Sequence, residues 1–269
     1  MMWRDLADRW RSSSPTQEVT SAAVSPDAQP FYAGSGRVGV LLIHGFSGSP
    51  RSMRAWAEHL AADGFRVALP RLPGHGTSWQ ELALTEWQDW YATVERELAT
   101  LRDSCDQIFV CGLSMGGGLA LLAATRHPEI AGVVLVNAVV TSNDPRARAR
   151  PVLRWFVKSL NGIANDIAKP GVDEGGYGRS PLRAGYSMTQ MWHEIRRNLP
   201  QVRQPLLVFR SVEDHVVDPS SGRAILAAVG SSDVREVLLH RSYHVATMDY
   251  DAEEIFAGSS AFFRRLLTS

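Results

Sequence analysis

Short apolar runs and amphipathic stretches alternate along the chain from about residue 38. Val38–Ile43 carries no polar side chain and is rich in valine and leucine, as strands covered on both faces are. Similar runs recur at residues 65–69, 108–111, 133–136, 206–209 and 234–239. Between them the apolar positions repeat with helical spacing over residues 53–62, 85–101, 115–126, 220–229 and 252–267. Thr85 with Gln88 offers a capping box for the second of these helices, and His127-Pro128 stops the third. This alternation predicts an α/β fold, a mostly parallel central sheet with helices on both faces. One interval breaks the rhythm. Residues 138–200 show no strand pattern and are too long for an ordinary crossover, so they are expected to form a small helical cap inserted over the sheet. The charge-rich stretch at 146–154 fits a solvated helix face. Residues 1–30 are rich in Ser, Thr, Pro and Gln and are expected to be a poorly ordered leader or an arm lying on the surface. Residues 31–269 are then a single domain.

Composition narrows the function classes. The 269 residues are 45% hydrophobic, enough for one large core. Lys+Arg 28 balances Asp+Glu 28, so there is no electrostatic footprint for nucleic acid or an anionic membrane surface. No apolar run approaches the roughly 20 residues that span a bilayer, and the N-terminus lacks the apolar centre of a signal peptide. Cys105 and Cys111 flank one expected strand, which holds them beyond disulfide reach and makes them free thiols. A soluble cytoplasmic protein is expected. No His/Cys/Asp/Glu cluster has metal-ligand spacing, and no phosphate-cradling glycine motif occurs. No cofactor is expected.

The chemistry lies in the loops that follow the apolar runs. Gly112-Leu113-Ser114-Met115-Gly116 joins the run at 108–111 to the helix at 115–126. This is G-x-S-x-G in a strand–turn–helix context, where glycines on either side of a tight turn leave the serine hydroxyl exposed above the sheet. A serine nucleophile needs a general base, and the base an orienting acid. In this arrangement acid and base follow the serine in that order, on loops after later strands. His244, after the strand at 234–239, is the candidate base. Asp214, after the strand at 206–209, is favoured as the acid over Glu213 and Asp218. Asp218 precedes Pro219 and Ser220, a natural place to cap the next helix. The oxyanion that forms during acyl transfer needs fixed donors. The backbone N–H groups of Met115 and of Phe46, in His44-Gly45-Phe46-Ser47-Gly48, stand where the fold puts them.

Taken together, residues 44–50, the Leu69-Pro70-Arg71-Leu72-Pro73-Gly74-His75-Gly76-Thr77 stretch, the serine elbow, Glu213-Asp214-His215-Val216-Val217 and Ser242-Tyr243-His244-Val245-Ala246-Thr247 resemble the bacterial monoacylglycerol lipases. The related small bacterial carboxylesterases share most of these motifs. The resemblance runs from about residue 30 to the C-terminus. It implies the α/β-hydrolase fold with a helical cap and a triad at Ser114, Asp214 and His244, with oxyanion donors at Phe46 and Met115. It further implies a cap glutamate at Glu174 that receives the glycerol hydroxyls and an apolar cap residue at Ile163 that narrows the pocket. The glycines at 175, 176 and 178 and the N-terminal leader depart from that pattern. The expected reaction is hydrolysis of a small lipid ester, foremost a monoacylglycerol, through an acyl-enzyme. A broad carboxylesterase and a non-catalytic receptor on the same fold are the alternatives. Trp155, Phe156, Met188, Met191 and Trp192 of the cap either line an acyl tunnel or glue the cap to the sheet.

Overall fold

The computed structural model describes residues 22–144, 150–162 and 164–268. Its main sheet has seven strands: β1 (Phe31–Ala33), β2 (Val38–Ile43), β3 (Arg66–Leu69), β4 (Gln107–Leu113), β5 (Gly132–Val136), β8 (Leu206–Ser211) and β9 (Val234–Leu239). Their spatial order is β1-β3-β2-β4-β5-β8-β9. Only β1 is antiparallel to its neighbour; the other strands run parallel. The alternation read from the sequence therefore yields the expected α/β sheet. The helices are α1 (Arg54–Ala62), α2 (Trp79–Leu82), α3 (Trp87–Arg102), α4 (Met115–Arg126), α5 (Leu182–Asn198), α6 (Ser220–Ala228) and α7 (Ala252–Leu267).

Side chains alternate across each strand, and β2 shows the result. Leu41 and Ile43 enter a core that also holds Trp90, Leu98, Leu119 and Met191. Val40 and Leu42 enter a second core on the other face, with Trp56, Leu60, Phe256 and Phe263. Helices α3, α4 and α5 thus cover one face and α1 and α7 the other. Because both faces are covered, the strands read as continuous apolar runs.

Three details differ from the expectations. Strand β1 was not anticipated, being three residues long and partly exposed at the sheet edge. Strands β6 (Ser159–Asn161) and β7 (Arg179–Pro181) form an antiparallel pair within the insertion, which had shown no strand pattern. The capping box of α3 uses Glu86 and Asp89 in place of Thr85 and Gln88. The Thr85 hydroxyl is occupied elsewhere: it donates to the Leu82 carbonyl at 2.9 Å and accepts from the Trp90 indole at 3.0 Å.

The described end of the leader lies against the domain. Ser25 N–H donates to the Gly76 carbonyl, Asp27 pairs with Arg51, and Ala28 is buried. Among the described residues no helix is long and apolar enough to cross a membrane. Cys105 and Cys111 are free thiols.

Candidate active site

Parallel strands end together, so the loops after β2, β4, β5, β8 and β9 meet along one edge of the sheet. Ser114 sits between β4 and α4 at φ 55°, ψ −117°. A non-glycine residue in that region carries strain of order 1–3 kcal/mol, which the surroundings must offset. Here they do so by hydrogen bonding. Ser114 N–H donates to the Val136 carbonyl at 2.9 Å, and the Ser114 carbonyl accepts from the N–H groups of Gly117, Gly118 and Val139. The flanking glycines are required by contact: a Cβ on Gly112 would lie 2.2 Å from the Gly116 carbonyl oxygen, and one on Gly116 only 1.9 Å from the Ile43 carbonyl oxygen.

Asp214 and His244 come from loops after β8 and β9, and the structure brings them together. His244 Nδ1 lies 2.9 Å from Asp214 Oδ2, with both side chains largely buried. Asp214 Oδ1 accepts the N–H groups of Val216 and Val217 at 2.9 and 2.8 Å. Burial pushes the Asp214 carboxyl up, but His244 and these N–H donors more than offset it and leave it below its ordinary value. Burial works to lower His244. Asp214 foremost, with Glu174 and Asp166, overcomes this and raises it above the usual histidine range. The rejected acids stand apart. Glu213 is solvent-exposed beside His215 Nε2, and Asp218 Oδ1 accepts the Ser220 N–H at the start of α6.

The loop after β2 is fixed by a histidine that sequence reasoning treated only as part of the motif. His44 is fully buried, and its Nε2 accepts the Leu72 N–H at 3.1 Å. Nδ1 therefore carries the proton, which it donates to the Gly45 carbonyl at 3.0 Å. Burial lowers the His44 pKa to about 4, so the ring is neutral near pH 7. The Gly45 carbonyl and the Phe46 N–H belong to one planar trans peptide and point opposite ways. Fixing the carbonyl on His44 thus fixes the direction of the Phe46 N–H.

Asn137, at the end of β5 with φ 46°, was also not singled out. It accepts the Ser211 N–H and donates to the His244 carbonyl, each at 2.8 Å, tying the end of β8 to the histidine loop. The only local signal is a polar residue directly after an apolar strand.

Ser114, Asp214, His244, Phe46 and Glu174 all line a cavity of about 490 Å³. Glu174 reaches it from the cap. Its Oε1 accepts the Asn165 N–H at 3.0 Å, and its own N–H donates to Asn165 Oδ1 at 2.9 Å. Among the described residues Oε2 has no hydrogen-bond donor; a Cβ on Gly48 would lie 3.4 Å from it. Burial raises the Glu174 pKa, and the Asn165 N–H and His244 temper the effect. Two of the three glycines that depart from the family pattern, Gly175 and Gly176, have a local reason. Gly175 adopts φ 68°, and a Cβ on Gly176 would press to 3.1 Å from Glu174 Oε1.

Ile163 lies outside the described residues. Of the other cap residues, Met188 and Trp192 line the cavity, while Met191 is fully buried in the core between cap and sheet. Trp155 and Phe156 do neither: they are 75% and 82% exposed.

A strained serine at a cavity, a buried carboxylate–imidazole pair and an aimed backbone N–H are the parts of a nucleophilic hydrolase. Comparison with known proteins gives the family. A model of the alpha/beta hydrolase fold matches residues 39–172, and one described as serine aminopeptidase, S33 matches residues 172–251. The chain is 41% identical over 240 residues to the thermostable monoacylglycerol lipase of Bacillus sp. (strain H-257), covering 88% of this chain and 95% of that one. It is 25% identical to a carboxylesterase of Bacillus subtilis (strain 168), over 88% and 97% of the two chains. A solved structure from work on two metagenome-derived lipolytic enzymes, LipS and LipT, superposes with a TM-score of 0.88 at 40% identity, covering 90% of this chain and all of that one. The monoacylglycerol lipase of Paleococcus ferrophilus shares the fold at a TM-score of 0.74 and 17% identity, over 88% and 98% of the two chains. The chain belongs to the α/β-hydrolase superfamily, within the group of bacterial monoacylglycerol lipases and small carboxylesterases.

Proposed function

We propose that the protein hydrolyses monoacylglycerols to glycerol and a fatty acid, with Ser114 as nucleophile, His244 as general base and Asp214 as its orienting acid. The observation that carries the substrate class is Glu174, a mostly buried carboxylate with a spare oxygen on the same cavity as Ser114 and His244. Such a group accepts hydrogen bonds from an alcohol bearing free hydroxyls, and a site left unpaired by other ligands rejects them.

The geometry supports the following reaction. Neutral His244 takes the Ser114 hydroxyl proton as Oγ attacks the ester carbonyl, and the N–H groups of Phe46 and Met115 receive the oxyanion. As the intermediate collapses, protonated His244 returns that proton to the departing glycerol oxygen. Water then attacks the acyl-enzyme with His244 again as base, releasing the fatty acid and restoring Ser114. Asp214 keeps Nδ1 protonated, so that Nε2 is the basic nitrogen. The apolar side chains of Met188 and Trp192 favour an acyl chain in the cavity. Cytoplasmic location is part of the proposal, supported by two free thiols; recovery from a secreted fraction without lysis would count against it.

The test is turnover of 1- and 2-monoacylglycerols beside diacyl- and triacylglycerols of the same chain. Monoacylglycerols are expected to be hydrolysed much faster, with all activity lost in Ser114→Ala. Equal rates on all three classes would refute the substrate class, and activity in Ser114→Ala would refute the nucleophile.

A further inference from the structure

Glu174 stands on the cap, while Asp214 and His244 stand on loops of the main sheet, yet the three must keep one geometry. The segment at 165–169 links them. The Asp166 side chain, only 10% exposed, reaches both loops at once. Its Oδ2 accepts the backbone N–H of His215 at 3.1 Å, directly after Asp214, and the backbone N–H of His244 itself at 3.2 Å. Its Oδ1 lies 2.8 Å from His215 Nδ1. The Asp166 carbonyl accepts the Val245 N–H at 3.1 Å. Asn165, the residue before it, makes the reciprocal pair with Glu174. Buried Asp249 holds the segment from the other side, accepting the N–H groups of Ala168 and Lys169 from the cap and of Tyr243 and Tyr250 from the histidine loop.

We infer that Asp166 is a positioning residue that holds the acid loop, the base loop and the alcohol-facing Glu174 as one unit. The inference rests on the proposed reading of Ser114, His244 and Glu174. A carboxylate suits the task because it only accepts, and the groups offered to it are N–H donors converging from loops about 50 and 80 residues away in sequence. Its charge also bears on His244, which faces Asp214 from the acid loop and Glu174 and Asp166 from the cap. His215 and, beyond it, Glu213 are further ionisable groups on the acid loop beside Asp166, and Asp249 faces the same segment from the histidine loop.

The experiment compares Asp166→Ala and Asp166→Asn with wild type. Each is assayed on a monoacylglycerol and on a simple alkyl ester of the same acyl chain, with a pH profile of kcat/KM and a thermal unfolding curve. Asparagine can place its carbonyl oxygen where Oδ2 sits and keep both backbone N–H donors while removing the charge. Asp166→Ala is expected to lose about tenfold or more in kcat on both esters, as misplacement of catalytic groups does, and to lose preference for the monoacylglycerol. Asp166→Asn is expected to recover most of that loss. Removing a negative charge beside His244 favours its neutral form, so in both variants the acid limb of the profile moves to lower pH. A merely structural aspartate would lower the unfolding temperature and leave that limb in place. Wild-type kcat and preference in Asp166→Ala would overturn the inference. So would an unmoved acid limb in Asp166→Asn, which remains informative should the alanine variant fail to fold. Activity in Ser114→Ala would instead overturn the reading of the site; a Ser114-dependent enzyme indifferent to Asp166→Ala would overturn the positioning role alone.

Discussion

Glu174→Ala separates alcohol recognition from acyl chemistry, because the side chain is expected to do two things of opposite sign. First, it receives glycerol. Oε1 is committed to the Asn165 N–H, so Oε2 is the oxygen left for a substrate hydroxyl. A hydrogen bond to a charged group contributes about 1.5–3 kcal/mol. Its loss should therefore lower kcat/KM for a monoacylglycerol by about 10- to 150-fold at the pH optimum. A methyl ester of the same fatty acid has no hydroxyl to offer and should be nearly unaffected there. Second, the Glu174 carboxylate helps raise the His244 pKa. The base works only when neutral, so activity rises with pH through that value. Removing Glu174 lowers it, and the acid limb moves to lower pH. Below that limb the variant should cleave the methyl ester faster than wild type does, while still cleaving the monoacylglycerol poorly at the optimum. The assay is fatty-acid release from both esters across pH, with free fatty acid measured directly so that one readout serves both. Equal losses on the two esters at the optimum would refute the alcohol role. An unmoved limb would refute the electrostatic one.

Three further outcomes follow from the same geometry. His44→Phe keeps a buried ring but strands the Leu72 N–H and the Gly45 carbonyl, each at a cost of about 1–3 kcal/mol, and frees the peptide that aims the Phe46 N–H. The unfolding temperature should drop and kcat should fall by up to about a hundredfold; wild-type kcat in a destabilised protein would show that His44 does not orient the donor. Gly116→Ala drives a Cβ to 1.9 Å from the Ile43 carbonyl oxygen, so soluble protein should be scarce and should not label at Ser114 with a fluorophosphonate; normal labelling would refute the collision. Trp155→Ser with Phe156→Ser should leave stability within about 0.5 kcal/mol, since both rings are mostly exposed, whereas Trp192→Ala should alter acyl-chain preference; a large stability loss in the first variant would mean the rings are packed in solution.

The parts of the molecule legible in the sequence are those whose cause is local or periodic. Val38–Ile43 and Val234–Leu239 emerge as strands with the expected bounds, and Met115–Arg126 and Ala252–Leu267 as helices, because burial on one or both faces imposes a period on neighbouring residues. The candidate triad was legible for a related reason: parallel strands deliver their following loops to one edge, so order along the chain becomes proximity in space. Strands β1, β6 and β7 were not, since three residues carry no period and edge or cap positions demand little burial. The supports of the site left still less trace. Asn137, Asp166 and Asp249 each hold backbone groups from distant loops, and a polar residue in a loop looks the same in sequence whether it faces water or gathers N–H groups from across the fold. His44 was visible as a motif residue, but its neutral state comes from burial, and the tautomer that grips Gly45 is set by Leu72, on the loop after β3. What the sequence conveys is thus the set of candidate reacting groups, because strand-following loops announce them. What it withholds is the precision of their placement, which here depends on single side chains bridging segments that no local pattern connects.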